Sequence, residues 1–248
     1  MDMGEIYNEV KEVALDGFKR LNDTDRVEHK TWPSPIGTWE VSVVRGKVLE
    51  KATLARIRLH IINPQNGQDT QLDVVQAKVY PASPKIPILL FNIENRAAKE
   101  DIFAGMLDVI PVAAPEEDLR FMSAEISKVT KKHGEDFERL RKKVENVYIM
   151  DGWEKPLNAG IGIYLDFTTD QYDLLKEAGL HWLKSYFTIV EKRQNDSCED
   201  EDVALMDFMR ARILEYYLLQ DESITYTLKK GVPLEAMTLG TLAPTVHY

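Results

Sequence analysis

Apolar residues at Ile6, Val10, Val13, Ala14, Phe18 and Leu21 recur every three or four positions, which predicts an amphipathic helix over roughly residues 4–21. Beyond residue 37 the period shortens. Five β-branched and apolar runs of strand length follow, at residues 38–45, 54–62, 71–80, 86–93 and 102–112. Turn signals separate them at Arg45-Gly46, at residues 63–67 (N-P-Q-N-G) and in the Pro-rich stretch 81–87. These turns are too short for helical crossovers, so the strands are expected to form an antiparallel meander. Residues 31–37 (T-W-P-S-P-I-G) read as a turn-rich approach to it.

The second half changes character. Pro115-Glu116-Glu117-Asp118 opens a helical stretch that runs to about Val144, with its acidic residues at the positive end of the helix dipole. Residues 159–167 (A-G-I-G-I-Y-L-D-F) return as a strand, their glycines permitting close packing on the sheet. Leu174, Ala178, Leu183 and Phe187 give residues 169–193 a helical period, and Val203, Met206, Ile213 and Tyr217 do the same for residues 200–219. Strands first and helices later predict an α+β fold. The expected form is a three-layer α/β/α sandwich, a largely antiparallel central sheet flanked by helices, as a single domain over residues 1–248.

Composition narrows the function classes. A net charge of −10 argues against nucleic acid as the main partner, because phosphate binding needs a clustered positive field. The densest basic run, residues 128–143, is interleaved with Glu135, Asp136 and Glu138 and reads as a solvated helix face. No stretch approaches the ~20 apolar residues of a membrane span, and the first residues lack the pattern of a signal peptide, so a cytoplasmic location is expected. Cys198 is the single cysteine, which excludes an intramolecular disulfide. No dinucleotide loop, P-loop, C-x-x-C or H-E-x-x-H is present, and the five histidines show no ligand spacing, so no metal is expected.

Asp108 and Asn92 stand inside apolar runs. The neighbours of Asp108 two residues away, Met106 and Ile110, share its strand face. A carboxylate there is costly unless it is used in chemistry or held by a structural arginine or backbone amides. Asn92 either hydrogen-bonds a ligand or ends a strand, and Asp221 either serves a site or closes a helix. Arg56, Arg58 and Lys78 occupy alternate positions of strand-like runs, and Arg96 follows close behind residue 93. Buried cations imply anionic partners, either a ligand or Glu50, Asp73 and Glu94.

Residues 79–111 carry a family resemblance. A Pro-rich turn, a strand ending F-N (Phe91-Asn92) and a following D-x-x-P (Asp108 to Pro111) resemble the oxygen-dependent coproporphyrinogen oxidases and the ferredoxin-dependent bilin reductases. The likeness to the oxidases is collinear from about Trp32 onward. Residues 46–51 (G-K-V-L-E-K) with Ala52 resemble that family's G-x-V-F-E-K-A. Lys132-His133-Gly134 resembles its R-H-G, residues 162–166 (G-I-Y-L-D) its G-I-F-F-D, residues 186–193 its Y-x-P-I-V-x-x-R, and residues 234–239 its I-E-S-I-L-M-S. The departures fall on charge. Leu90 and Glu94 stand where the oxidases have the histidine and arginine of H-x-N-x-R, and Glu222 where they have the arginine of Y-D-R-G-T-K-F. A tetracarboxylate substrate needs several cations, which these positions do not supply.

The polar residues resemble those of the bilin reductases more closely. That resemblance implies reduction of a linear tetrapyrrole such as biliverdin, with reduced ferredoxin as electron donor and no permanently bound cofactor. It further implies Asp108 and Asp221 as proton donors and Asn92 as a hydrogen-bonding positioner. Arg56, Arg58, Lys78 and Arg96 are then the expected anchors for the ligand carboxylates. Two alternatives stay open: a divergent coproporphyrinogen-oxidase-like enzyme acting on another tetrapyrrole, and a non-catalytic tetrapyrrole-binding protein.

Overall fold

The computed structural model describes residues 2–62, 69–97 and 101–246. The turn expected at residues 63–67 lies outside the described residues. Helix α1 (Met3–Leu21) precedes strands β1 (Glu28–Ser34), β2 (Gly37–Val44), β3 (Leu49–Ile62), β4 (Asp69–Pro81), β5 (Ile88–Ala97) and β6 (Asp101–Ile110). Helices α2 (Glu116–Lys132) and α3 (Phe137–Val144) lead to β7 (Ile163–Thr168). Helices α4 (Tyr172–Arg193), α5 (Asp200–Leu219), α6 (Glu222–Lys229) and α7 (Leu234–Gly240) complete the chain.

The seven strands form one sheet in sequence order, every neighbouring pair antiparallel, as the short turns require. Alternation divides each strand between two apolar layers. Leu54, Ala77, Val79, Phe91 and Leu107 face α1, α2 and α4, where Phe18, Ile126 and Trp182 meet them. Ile57, Val74, Leu90 and Met106 face the other way, toward Ile213 and Tyr217 of α5, Ile224 of α6 and Met237 of α7. The result is the α/β/α sandwich expected from the pattern. Close approach of β7 to β6 depends on Gly162, where a Cβ would lie 1.7 Å from the Leu107 carbonyl oxygen.

Three elements differ from the sequence expectation. The long helix to Val144 is broken: Gly134 takes φ +75°, and Asp136 starts α3 by accepting from the amides of Glu138 and Arg139. The turn-rich approach forms edge strand β1, whose Pro33 sits opposite Thr38 at the sheet margin where no further strand needs its missing N–H. Residues beyond 220 fold into α6 and α7, two helices too short for periodicity to announce them. No described helix is long and apolar enough to cross a membrane.

Candidate active site

A cavity of about 230 Å³ lies between the sheet and helices α5 to α7. Its floor is apolar around the edge, with Trp39, Ile57, Leu59 and Val74, and polar along the middle of β4 and β5. There the register sets Gln76 opposite Asn92, and Asn92 opposite Met106 on β6. Lys78 and Glu94 extend the polar row toward either end of the floor.

The roof is built by one break in the chain. Helix α5 stops at Leu219, and Asp221 starts α6 by accepting from the amides of Ser223 (2.9 Å) and Ile224 (3.1 Å). This turn carries Tyr216, Tyr217 and Asp221 to the cavity wall, and Tyr148 joins them from the connection between α3 and β7. Asp221 is thus both a helix cap and a lining carboxylate.

Helix α7 is fastened to the sheet by its carbonyl end. Lys51 donates to the carbonyls of Thr238 (2.8 Å) and Leu242 (2.5 Å), Thr53 to that of Gly240 (2.8 Å) and Tyr80 to that of Thr241 (2.6 Å). These bonds satisfy the acceptors that a helix terminus leaves open. Arg210 of α5 bonds Glu50 (2.7 Å) and the Pro81 carbonyl (3.0 Å), tying α5 to the same strands. The oxidase-like segment ending in Lys51 therefore positions the roof and does not line the cavity floor.

Lys78 is 1% exposed. Its ammonium donates to the Tyr148 hydroxyl at 3.0 Å and lies over the rings of Tyr148 (5.4 Å) and Tyr217 (5.5 Å). The two hydroxyls are 2.9 Å apart. Burial pulls the Lys78 ammonium down to about 7, against an opposing pull from the Asp221 carboxylate. Burial drives both phenols the other way, well above the usual tyrosine range. Glu94 is raised as well, by burial, although Arg96 at 3.7 Å draws it back toward ionisation.

The expected site residues separate into groups. Asn92, Asp221 and Lys78 line the cavity. Arg96 is not among the lining residues; it pairs with Glu94, which is, and its side chain is 47% exposed. Arg56 and Arg58 face the opposite layer. Arg56 holds Asp73 through two hydrogen bonds (3.1 and 2.7 Å) and lies over the Tyr7 ring of α1. Arg58 pairs with Glu40 beside the start of α1.

Asp108, expected as a proton donor, also stands outside the cavity lining, although it shares the cavity-side face of β6 with Met106. Its carboxylate accepts from Asn158 Nδ2 (2.7 Å), Gly160 N (2.8 Å) and Ile161 N (3.2 Å), bracing the connection that leads into β7. Tyr148 and Tyr217 line the cavity with no local signal in the sequence, and Glu94, expected as a partner for a cation, lines it as well. The tyrosines lie 69 positions apart and meet only in the fold.

The chain matches the coproporphyrinogen III oxidase family model over residues 25–248. Its structure is similar to the crystal structure of phytochromobilin synthase from tomato in complex with biliverdin, at 12% sequence identity and a TM-score of 0.62. That alignment covers 97% of this chain and 86% of the tomato chain, a likeness of fold. With the family pattern matched over nearly its whole length, the chain belongs to the coproporphyrinogen III oxidase family.

Proposed function

We propose that this protein is a ferredoxin-dependent bilin reductase, reducing a linear tetrapyrrole such as biliverdin by sequential electron and proton transfers. The observation that carries the reading is the pairing of Asn92 on the cavity floor with Asp221 on its roof. A flat ligand between them meets a neutral amide on one side and an acid on the other. Asn92 can hydrogen-bond a pyrrole nitrogen or a ring carbonyl without changing charge, and Asp221 can deliver a proton to a reduced carbon. Each double bond reduced takes two electrons, supplied singly by reduced ferredoxin, and two protons, supplied through the protein.

The charge of the cavity supports the same reading. Among the described lining residues Lys78 is the one cation, and Glu94 occupies a position where the resembling oxidases carry arginine. Such a lining suits a ligand with N–H donors better than four buried carboxylates. The volume of about 230 Å³ is below the roughly 300–1,000 Å³ usual for small-molecule sites, so a bilin extends through the mouth. Its propionates then lie near the rim, within the field of Arg96. The tomato protein, solved with biliverdin, has the same fold. Family membership favours a second reading, action on a porphyrinogen, against which the lining carboxylates weigh.

Biliverdin titrated into the protein tests the reading by its visible spectrum, followed by addition of reduced ferredoxin. Loss of the bilin absorption with formation of a reduced bilin is expected. Spectrally silent mixing, or a complex inert to reduced ferredoxin, overturns it.

A further inference from the structure

We propose that Lys78, Tyr148 and Tyr217 form a proton-conducting chain that opens into the cavity at the Tyr217 hydroxyl, with the Lys78 ammonium as its store. The proposal rests on the bilin-reductase reading of the cavity and names the route by which that reaction is resupplied with protons. Its basis is geometric. Lys78 Nζ lies 3.0 Å from Tyr148 Oη, and Tyr148 Oη lies 2.9 Å from Tyr217 Oη. All three side chains are buried and all three line the cavity.

The lysine gives the chain its direction. An ammonium has no acceptor, so Lys78 donates and the Tyr148 oxygen accepts. The Tyr148 hydrogen is then directed to Tyr217, and the Tyr217 hydrogen is free to turn toward a ligand. Three elements supply the chain: β4, the connection after α3, and the last turns of α5. A buried lysine with a purely structural role usually meets a carboxylate; this one spends its hydrogen bond on a phenol inside a ligand cavity.

The groups facing Lys78 fit the assignment. Tyr148 and Tyr217 enclose it, Asp221 lies within electrostatic reach from the turn before α6, and Tyr80 follows two positions along β4. Burial brings the ammonium to about 7, so at neutral pH it gives up a proton readily. The phenols are pushed upward and pass a proton on rather than ionise. In one delivery the Tyr217 O–H bond breaks as the bilin radical anion, formed by one electron from ferredoxin, gains the proton. Tyr148 then reprotonates Tyr217, and Lys78 reprotonates Tyr148. Both phenols are restored, and the amine is left neutral until it recovers a proton from solvent.

The test is single-turnover reduction of bound biliverdin by excess reduced ferredoxin, from about pH 6 to about pH 9, in wild type, Tyr148→Phe and Lys78→Arg. The wild-type rate of radical decay is expected to fall as pH rises through about 7. Tyr148→Phe keeps the ring and breaks the chain, and Lys78→Arg keeps the charge but does not release its proton. Both are expected to bind biliverdin, to react roughly 10²-fold more slowly and to lose the pH step. Wild-type rates and an unchanged pH profile in both variants overturn the chain while leaving the reductase reading intact. So does a slower rate with the pH step preserved, which marks a structural role. A wild-type protein that leaves bound biliverdin unreduced overturns the reductase reading, and this use of the chain with it.

Discussion

The Asp108 carboxylate accepts a 2.7 Å hydrogen bond from Asn158, and with it the amides of Gly160 and Ile161. This arrangement makes the aspartate a brace for the connection between α3 and β7, the segment that brings Tyr148 to the cavity. Burial raises Asp108 to about 6 even so, because the hydrogen bonds offset only part of the lost hydration.

Stability is therefore expected to depend on this one group. Its folded value of about 6 exceeds the unfolded value of about 3.9, so the folded state binds more protons between them. The associated stability is full below about pH 4 and is lost as pH rises through about 6, by on the order of 3 kcal/mol. Urea melts of wild type and Asp108→Asn, compared across that window, isolate the effect as a pH-dependent difference. Asp108→Ala, which removes the acceptor of one Asn158 hydrogen bond and of two backbone amides, is expected to lose ~2–4 kcal/mol at neutral pH. Biliverdin affinity should be preserved in the Asn variant, since the side chain lies outside the cavity lining.

Asp221 separates by substitution into its two roles. Asparagine caps helices as well as aspartate, so Asp221→Asn is expected to keep α6 and nearly all the stability while losing the acid. Turnover should drop by roughly 10²-fold or more with biliverdin still bound. Asp221→Ala should lose the acid and also ~1 kcal/mol of stability with the cap. Thermal melts paired with single-turnover rates distinguish the two, and equal turnover in wild type and Asp221→Asn would remove Asp221 from the chemistry.

Glu94 tests the charge selection of the cavity. Glu94→Arg places a cation where the resembling oxidases have one, beside Arg96 and facing the ligand space. Affinity for a tetracarboxylate porphyrin such as coproporphyrin is expected to rise about tenfold, ~1.4 kcal/mol. Fluorescence titration of the porphyrin measures it, and an unchanged affinity would show that residue 94 does not select the ligand.

Lys51 controls the alkaline limb. Burial, with a smaller contribution from Arg45, lowers its ammonium to about 7. The unfolded chain then holds the extra proton between about pH 7 and about pH 10.4, so stability rises with pH across that window and is flat below it. Lys78 adds a rise of the same sign. Lys51→Met is expected to flatten this limb in part, measured by urea melts at alkaline pH, and to loosen α7 through the orphaned carbonyls of Thr238 and Leu242.

Periodicity made most of this fold readable. Ile6, Val10 and Phe18 form one buried stripe of α1, and the runs that became β2 to β6 alternate between two apolar layers. Strand β1 was hidden because its residues are largely exposed and Pro33 and Pro35 read as turns. The same alternation explains the arginines. Arg56 shares its strand face with Leu54 and lies over α1, whereas Ile57 between Arg56 and Arg58 points to the cavity. Which face carries the cavity is set by where the helices pack, which the strand pattern alone does not fix. Asn92 and Asp221 were legible through their resemblance to the bilin reductases. Tyr148 and Tyr217 were not, because a hydrogen bond between distant segments leaves no local pattern.

Whether this cavity binds and reduces a linear tetrapyrrole is tested most directly by one spectrophotometric titration. Biliverdin is added to the purified protein, and reduced ferredoxin is then added to the complex under anaerobic conditions. The predicted result is a saturable change in the visible spectrum, lost electron by electron as a reduced bilin forms. A bilin spectrum that the protein does not alter, or one that reduced ferredoxin leaves unchanged, would contradict it.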